Sequence, residues 1–498
     1  MLENFLTGTS ALFGDPVSIG IFVFGVIGGM LFGAIPGVSM LTLAAILLPF
    51  SAGLEPAQGV MLFAVIYCTG TYGGAITAIL FNIPGAPENA PTAFDGYPMT
   101  KKGMAGKAVG AAVLCSAVGG TASALLMMTA TEPLAHWAIR NIGPPEIFAL
   151  VFFGLAVASS VGGKTIWKGW MSVLLGLMIA TIGQDPVGGI NRYNFGLPDL
   201  AAGIAFVPAI LGFFAVSEIF IQAEKKAFGK YNAPKLNVDF PTFTELWAHK
   251  IAVLRSIIVG FFCGILPGIG ATLAAFMGYG EAVRWSKEKE KFGTGKLEGV
   301  ISSETANNAA TGAAMIPLLA LGLPGGALTA IMVAVFQFHD MEPGPLVFYN
   351  SPELIWVVFA AMFYANVSIL FIGLIETKTI LQLLRIPFTY LAPMILMLAS
   401  IGAYIGRGLV LDVVVMFSAG VLGFLLRRSG YSIAGIVLGI ILGKIGEQNF
   451  AQGMQMVHYD LVAYMSRPIC FILIIAGAIT LGTGVYRALA SNRALQKL

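Results

Sequence analysis

Two Pro-Gly pairs in the middle of long apolar runs constrain the fold of this chain more than any other feature. One pair is Pro36-Gly37 and the other, 231 residues later, is Pro267-Gly268. Proline lacks a backbone donor and clashes with the preceding turn, and glycine frees the backbone, so a helix should stop at each pair. In hydrocarbon, the exposed polar backbone groups are tolerated only where they face protein, a ligand or water. A single pair also fits a mere kink or loop turn.

The composition is that of a membrane protein. The 498 residues are 57% hydrophobic and only 11% charged, with a mean hydropathy of +0.85. Soluble chains carry roughly a quarter charged residues. Repeated apolar runs of about 20 residues therefore predict a polytopic all-α protein in a lipid bilayer. The net charge of +3 predicts no nucleic-acid partner, and the four cysteines lie singly in apolar runs, where they are interpreted as small hydrophobic residues.

The pattern around the breaks occurs twice. A hairpin broken by Pro-Gly is followed by a loop, a helix and a second break, Pro84-Gly85 in one half and Pro324-Gly325 in the other. Each hairpin leg is shorter than the ~20 residues of a crossing, which favours a re-entrant hairpin. Three prolines within 84–91 predict that this segment is not helical. The predicted units are a first repeat 1–223 (hairpin 18–50, broken helix 60–99), a cytoplasmic linker 224–255, and a second repeat 256–498 (hairpin 256–283, broken helix 302–338) with an extra C-terminal helix.

Loop charges indicate how the two repeats are oriented. The loop 51–59 has no Lys or Arg, whereas the loop after the second break of that half is basic. The second half reverses this order, with five basic residues in 284–296 and no Lys or Arg in 339–345. Because basic loops stay on the cytoplasmic side, we expect two inverted-topology repeats, with about eleven crossings, two re-entrant hairpins and discontinuous helices.

Matched breaks in two halves of a chain are typical of a transporter binding site. The N-terminal end of a half-helix suits carboxylates, and the freed carbonyls suit Na⁺, so no other cofactor is expected. The substrate-binding candidates are the break residues and nearby small polar residues: Pro36, Gly37, Ser39, Asn82, Pro84, Gly85, Asn89, Pro267, Gly268, Thr272, Asn307, Asn308, Thr311, Pro324 and Gly325.

Candidates for coupling to an ion are Asn82, Asp95, Glu304 and Asn308. On a helix, the spacing of Glu304, Asn308 and Thr311 places them in one polar stripe, which rarely faces lipid. Alternatives stay open for each. Asn308 and Thr311 also fit hydrogen bonds between helices, Glu304 fits a first-turn acid or cap, and Asp95, before Gly-Tyr-Pro, fits a cap or turn.

Other function classes have less support in the sequence. We find no metal-ligand spacing, nucleophile–base pair or phosphate-loop motif, so the chain is not expected to be an enzyme. A passive anion channel would need a continuous pore, and the sequence offers no charged ring. A non-transporting membrane scaffold is the remaining alternative.

With these residues in view, nearly the whole chain resembles the large membrane subunit of tripartite tricarboxylate transporters, the TctA family. The stretches that carry the resemblance are Gly33–Phe50, Tyr72–Gly85, Phe94–Met99 followed by Lys101-Lys102-Gly103, Gly264–Gly270, Ala306–Gly312 and Ile316–Gly325. One departure is Pro87-Glu88-Asn89, where family members usually carry small residues. Glu88 would therefore either alter substrate preference or only line the loop.

The resemblance implies a multi-pass subunit of the bacterial inner membrane. It implies two protein partners, a small four-helix membrane subunit and a periplasmic solute-binding protein. The expected activity is uptake of tricarboxylates, dicarboxylates or related organic acids, driven by a Na⁺ or H⁺ gradient. As an extension from the opposed hairpins, we expect an elevator mechanism, in which a domain holding both hairpins slides against a scaffold.

Overall fold

The computed structural model describes residues 1–35, 39–161, 166–185, 188–224, 241–266, 270–383 and 388–495. Within these ranges the chain is almost entirely helical, and its one strand pair is an antiparallel hairpin of β1 (Gly183–Gln184) and β2 (Asn191–Arg192). This confirms the predicted all-α class. Helices satisfy their backbone hydrogen bonds internally, which is what a segment in hydrocarbon requires.

The first half of the chain contains ten helices in the described ranges. They are α1 (Leu2–Gly14), α2 (Pro16–Ala34), α3 (Met40–Ser51), α4 (Pro56–Phe81), α5 (Ala90–Lys101), α6 (Ala105–Asn141), α7 (Pro144–Val161), α8 (Ile166–Ala180), α9 (Phe206–Ile210) and α10 (Ser217–Glu224). A π-helical segment joins the last two, so that Phe206–Glu224 forms one apolar rod.

The first predicted hairpin is interrupted where the sequence indicates. Asp15 caps α2 by accepting from the backbone N–H of Ser18 at 2.8 Å, and the helix ends at Ala34. Helix resumes at Met40, and Pro36 and Gly37 lie outside the described residues. The two legs are unequal, since α2 has 19 residues and α3 has 12. By length and composition α2 is able to cross a membrane.

The second break of this half differs in part from the prediction. Helix α4 ends at Asn82, which adopts a left-handed conformation (φ 57°, ψ 31°) that asparagine tolerates well. The non-helical segment predicted for 84–91 is too long, because a 3₁₀ turn forms at Pro87–Asn89 and α5 already begins at Ala90. Pro91 lies in the first turn of α5, where a missing N–H costs no hydrogen bond.

The second half contributes thirteen helices to the described ranges. They are α11 (Phe243–Ala248), α12 (Lys250–Ile265), α13 (Gly270–Trp285), α14 (Leu297–Ala313), α15 (Met315–Leu321), α16 (Ala327–Phe338), α17 (Val347–Asn350), α18 (Pro352–Leu383), α19 (Phe388–Ile405), α20 (Val410–Arg428), α21 (Ile433–Met456), α22 (Leu461–Met465) and α23 (Pro468–Leu495). The second hairpin is again interrupted, between α12 and α13, and Pro267 and Gly268 lie outside the described residues.

Two predicted boundaries of this half are wrong. The broken helix expected from residue 302 begins at Leu297, and α12 begins at Lys250, inside the segment predicted as linker. The remaining described part of that segment contains α11, whose Glu245 pairs with Lys107 of α6. The pKa of Glu245 lies below its usual range because the Lys107 side chain donates a hydrogen bond to the carboxylate.

The two hairpins pack against α4 and α14 through glycines at matching positions. The contacts are Gly29 with Ile66, Gly33 with Gly70, Gly260 with Ala306, and Gly264 with Ala310. The hairpin members of these pairs are offset by 231 residues and the helix members by 240, the same offsets as the Pro-Gly breaks. A Cβ would overlap the neighbouring carbonyl oxygen at Gly33, Gly260 and Gly264 and the hydroxyl of Thr69 at Gly29, so close backbone contact requires the missing side chain.

The helices α4 and α14 occupy the centre of the molecule. The most apolar 18-residue window of α4 is 100% buried, and all residues of α14 from Gly299 to Ala313 are buried. In contrast, only 28% of the corresponding window in α20 and 17% in α23 is buried. A helix that is apolar on its exposed side suits contact with lipid, so we assign α20 and α23 to the periphery.

Eight helices of the described ranges are long and apolar enough to cross a membrane. They are α2, α4, α6, the α9–α10 rod, α18, α20, α21 and α23. Five shorter apolar helices of 10–17 residues lie in α3, α7, α8, α16 and α19. The polytopic architecture agrees with the prediction. The larger number of about eleven crossings stays a prediction, because it depends on how the shorter helices are used.

Candidate functional site

A described residue beside each hairpin tip, Gly33 in the first half and Gly270 in the second, lies next to the second break of the same half. Gly85 is so close to the carbonyl of Gly33 that a Cβ on Gly85 would overlap it. In the second half, a Cβ on Gly270 would lie 3.4 Å from the carbonyl oxygen of Gly325 and 3.7 Å from the hydroxyl of Tyr67. Since Tyr67 belongs to α4, a helix of the first half reaches the paired breaks of the second.

Four helices begin directly after these breaks, and each presents its N-terminus to the site. They are α3 at Met40, α5 at Ala90, α13 at Gly270 and α16 at Ala327, with 12, 12, 16 and 12 residues. The first N–H groups of a helix have no intrahelical partner, and the helix dipole adds about half a positive charge there. Helix N-termini of this kind suit anions, and the four follow the predicted breaks in the chain.

Some predicted site residues have structural roles at the breaks. Ser39 is the half-buried residue before α3, and Asn82 is exposed and closes α4, with its N–H donating to the carbonyl of Thr77. Pro84 and Gly85 are half-buried in the irregular segment between α4 and the 3₁₀ turn. These four residues therefore determine the course of the backbone at the breaks.

Two residues of the Pro87-Glu88-Asn89 segment, Glu88 and Asn89, are buried, and Glu88 contacts the second half of the chain. Glu88 is buried, and the hydroxyl of Thr272 on α13 lies 3.5 Å from its carboxylate. Asn89 is fully buried, and its amide nitrogen donates to the carbonyl of Thr71 at 2.9 Å. Glu88 thus does more than line an exposed loop, because its carboxylate is at the boundary between the first break and the second hairpin.

The polar stripe predicted on α14 is formed and completely buried. Asn308 donates to the hydroxyl of Ser116 on α6 at 2.8 Å, and Thr311 donates to the carbonyl of Asn308 at 2.8 Å. Hydrogen bonding between helices, one alternative for Asn308, is therefore present. Glu304 is the eighth residue of α14 and is fully buried, so its interpretation as a first-turn acid or cap is wrong.

Several buried amide groups of the site have no hydrogen-bond partner among the described residues. Asn307 lacks one for both its oxygen and its nitrogen, and the side-chain oxygens of Asn89 and Asn308 also lack one. All three side chains have 0% exposure. Such groups are rare in proteins, since each costs about 1–3 kcal/mol, so they indicate a bound ligand, ion or water. Pro324 and Gly325, between α15 and α16, complete the irregular backbone nearby.

Asp95 caps a helix, but not its own. It lies within α5, and its carboxylate accepts from the backbone N–H groups of Gly295 and Lys296, both at 2.8 Å, just before α14. The hydroxyl of Tyr279 donates to the other oxygen at 2.9 Å. Asp95 therefore holds the backbone at the start of α14, 200 residues away in the sequence, and not its own segment, and its candidate role in coupling to an ion stays a prediction.

Sequence reasoning missed the side chains that surround Glu304. The hydroxyls of Thr92 on α5 and Ser116 on α6 both contact its carboxylate, Ser116 at 3.0 Å. Thr92 precedes Asp95 by three residues and so shares its helix face, which is the signal the sequence held. No ion pair to Glu304 or Glu88 and no cluster of three metal-binding side chains occurs in the part of the chain that the structure describes.

A polytopic helical membrane protein with a buried polar centre and paired helix breaks is the class of protein that this architecture defines. Residues 19–438 match the model of the tripartite tricarboxylate transporter TctA family, so the chain belongs to this family. It is accordingly the membrane subunit of a transport system with several components.

Two relatives from Agrobacterium vitis have names that give only the region where they are encoded. The first, an uncharacterized 52.8 kDa protein in the TAR-I ttuC' 3' region, is 35% identical over 485 residues, covering 96% of this chain and 95% of the relative. The second, an uncharacterized protein in the TAR-II ttuC' 3' region, is 33% identical over 234 residues, covering 47% of this chain and 97% of the relative. No solved structure matches the chain.

Proposed function

We propose that the chain is the translocation subunit of a secondary transporter that takes up organic acids, driven by a Na⁺ or H⁺ gradient. The observation that carries this proposal is the unpartnered amide of Asn307, fully buried on α14 between the two breaks of its half. A transport site must offer hydrogen bonds that only the cargo satisfies. The four helix N-termini at the breaks add positive potential for the carboxylates of a tricarboxylate, dicarboxylate or related acid.

The partners follow from the tripartite family. A small four-helix membrane subunit would accompany this chain in the bacterial inner membrane, and a periplasmic solute-binding protein would deliver the acid. Backbone groups recognise a carboxylate without regard to the rest of the molecule. We therefore assign much of the selectivity among acids to the binding protein, with Glu88 modifying it at the site.

We also propose that the halves are inverted repeats and that the hairpins move together as an elevator. The matched glycine contacts support a repeat, because both hairpins pack on a central helix in the same register. The reversed order of basic and non-basic loops supports the inversion.

The test is uptake by proteoliposomes that contain all membrane subunits and binding protein loaded with a carboxylate. Asn307→Ala should lower uptake roughly 10- to 100-fold, the cost of one or two hydrogen bonds to a charged ligand. The control is Asn141→Ala, an exposed amide at the end of α6, which should transport normally. Equal uptake by Asn307→Ala and wild type would contradict the proposal, and uptake at channel-like rates without any gradient would favour a passive anion channel.

A further inference from the structure

Glu304 is a carboxylic acid at the centre of the molecule without a positive neighbour. It has 0% exposure, and no Lys, Arg or His in the described ranges lies within 4.0 Å of its oxygens. A buried carboxylate without a counter-charge costs several kcal/mol, so such a group is normally neutralised by a proton or a cation.

One oxygen of Glu304 accepts a hydrogen bond whose direction is fixed by its neighbours. The amide nitrogen of Asn308 only donates, and it lies 2.8 Å from the hydroxyl of Ser116. Ser116 therefore accepts from Asn308, and its own proton is available for Oε2 of Glu304 at 3.0 Å. Oε2 therefore has a hydrogen-bond donor whether Glu304 is ionised or protonated.

The other oxygen contacts a chain of two hydroxyls. Thr92 contacts Oε1 of Glu304 and also lies 3.0 Å from the hydroxyl of Ser303. Ser303 lies 2.9 Å from the carbonyl of Gly299, which only accepts, so the Ser303 proton points there. In this arrangement Thr92 donates to Ser303, and the proton between Thr92 and Glu304 belongs to Glu304.

The same chain also fits the ionised acid. If the Ser303 hydroxyl turns from the Gly299 carbonyl toward Thr92, Thr92 turns its proton to Oε1 and the carboxylate gains a second donor. Gly299 keeps the helical hydrogen bond that its carbonyl accepts. With two hydroxyl rotations, the carboxyl group of Glu304 therefore keeps its hydrogen bonds in both its protonated and its ionised form. A site that binds and releases a proton requires this property.

The titratable groups that surround α14 near Glu304 are acids, tyrosines and thiols, and the basic residues of the same helices in the described ranges form no ion pair with Glu304. The elements around α14 contribute Asp95 from α5, Glu88 from the 3₁₀ turn, Tyr67 and Cys68 from α4, Cys115 from α6, Cys263 from α12 and Tyr279 from α13. The carboxylate of Asp95 already accepts hydrogen bonds from two backbone N–H groups and from the hydroxyl of Tyr279. Glu88, in contrast, is a second buried acid without an ion-pair partner among the described residues.

We propose that Glu304 is a proton-binding site and that the proton it carries is the coupling ion of transport. The proton leaves as H⁺ to water, the electron pair stays on the carboxylate, and the hydroxyls of Thr92 and Ser116 solvate the charge. This inference rests on the proposed function for its role in transport, but proton binding itself is measurable without transport.

The direct test is infrared difference spectroscopy of the purified full-length protein between about pH 5 and pH 9, the range in which buried Glu residues titrate. Wild type should show the C=O stretch of a dry protonated carboxylic acid that disappears as the pH rises. Glu304→Gln should lose the part of this band that comes from Glu304, because its amide replaces the neutral acid, and Glu88→Gln identifies any part that comes from the second buried acid. The control Glu132→Gln, which neutralises a half-buried acid on α6, should leave the band unchanged. A band of the same size in Glu304→Gln and wild type, or no band in wild type, would overturn the proposal.

A second variant covers the case in which Glu304→Gln does not fold. Thr92→Val preserves shape but removes the hydroxyl at Oε1, and it should shift the frequency of the acid band, because the hydrogen bond of the acid is lost. An unchanged frequency would refute the hydroxyl chain.

Transport then separates the two proposals. In proteoliposomes with all subunits, a pH gradient without a Na⁺ gradient should drive uptake in wild type and at least about 10-fold less accumulation in Glu304→Gln. Uptake that needs Na⁺ alone and ignores the pH gradient would overturn proton coupling while the proposed function stands. No carboxylate uptake by wild type under any gradient would overturn the proposed function while the infrared result stands.

Discussion

At the scale of single residues, glycine decides how closely the hairpins approach the central helices. Gly264 of α12 faces Ala310 and Ala313 of α14, and a Cβ there would come within 2.6 Å of the Ala310 carbonyl oxygen and the Ala313 side chain. Neither neighbour is the end of a flexible chain, so the helices would have to separate. In lipid, where apolar surface alone does not hold helices together, that separation removes packing directly.

We therefore expect Gly264→Ala to lower the free energy of unfolding by about 1–3 kcal/mol through overpacking. The matched control is Gly280→Ala on α13, where a new Cβ meets no atom within 4 Å and the better helix propensity of alanine should stabilise by up to about 1 kcal/mol. Denaturant titration in detergent micelles measures both. Unchanged or increased stability of Gly264→Ala, as for Gly280→Ala, would mean that helix propensity, not close contact, governs Gly264.

At the scale of elements, the start of α14 is held by another helix. Asp95 of α5 accepts from two N–H groups at the N-terminus of α14, where a negative charge also complements the helix dipole. Gly299 follows within the first turn and leaves room for this carboxylate, because a Cβ there would overlap Oδ2. The contact fixes the position of α14 along α5 and with it the meeting of Glu304 and Thr92.

Removal of this cap should destabilise the protein. Asp95→Ala is expected to cost about 1–2 kcal/mol, the usual value of an N-cap, with part of it recovered in Asp95→Asn, whose amide oxygen still accepts. Thermal unfolding in detergent measures the difference. Asp460→Ala, which removes the cap of the short surface helix α22, is the control and should cost less. Equal stability of Asp95→Ala and wild type would contradict the capping role.

At the scale of the whole molecule, the two halves repeat one order of elements around α4 and α14. Each half has a hairpin, a central helix with a break, a 12-residue helix and a long helix of 37 or 32 residues. The hairpins contact the central helices through backbone, whereas α3 meets α19 through the small apolar cluster of Ile46 and Ile395. In an elevator mechanism, α3 would slide along α19 at this apolar contact, and the backbone contacts between the hairpins and the central helices would stay intact.

Disulfide cross-linking tests this motion. With the other native cysteines replaced, Ile46→Cys paired with Ile395→Cys should cross-link in only one of two states, with or without substrate and coupling ion. Native Cys263 paired with Ala310→Cys, which share a cluster inside the proposed mobile unit, should cross-link in both. If the disulfide between Ile46→Cys and Ile395→Cys forms equally well in both states, the elevator mechanism is wrong.

Much of the fold was predictable because it depends on local chemistry. The apolar runs, the interruptions at the Pro-Gly pairs and the polar stripe on α14 follow from the periodicity of the residues and from the backbone limits of proline and glycine. Boundaries were less certain: α14 begins at Leu297, not near Ser302, because its start is set by Asp95 of a distant helix. The predicted non-helical segment 84–91 is wrong at Pro91, because proline is excluded from helix interiors but not from first turns.

The sequence by itself thus determined a helical membrane protein with matched breaks and small polar residues beside them. Only the tertiary structure decided which of those residues meet. Thr92 and Ser116 contact Glu304 across separations of 212 and 188 residues, and Glu88 reaches Thr272 across 184. No local pattern encodes such contacts, because they depend on how whole helices pack. The glycines at the helix crossings and the contact of Asp95 with the start of α14 help to set that packing, and with it the position of Glu304.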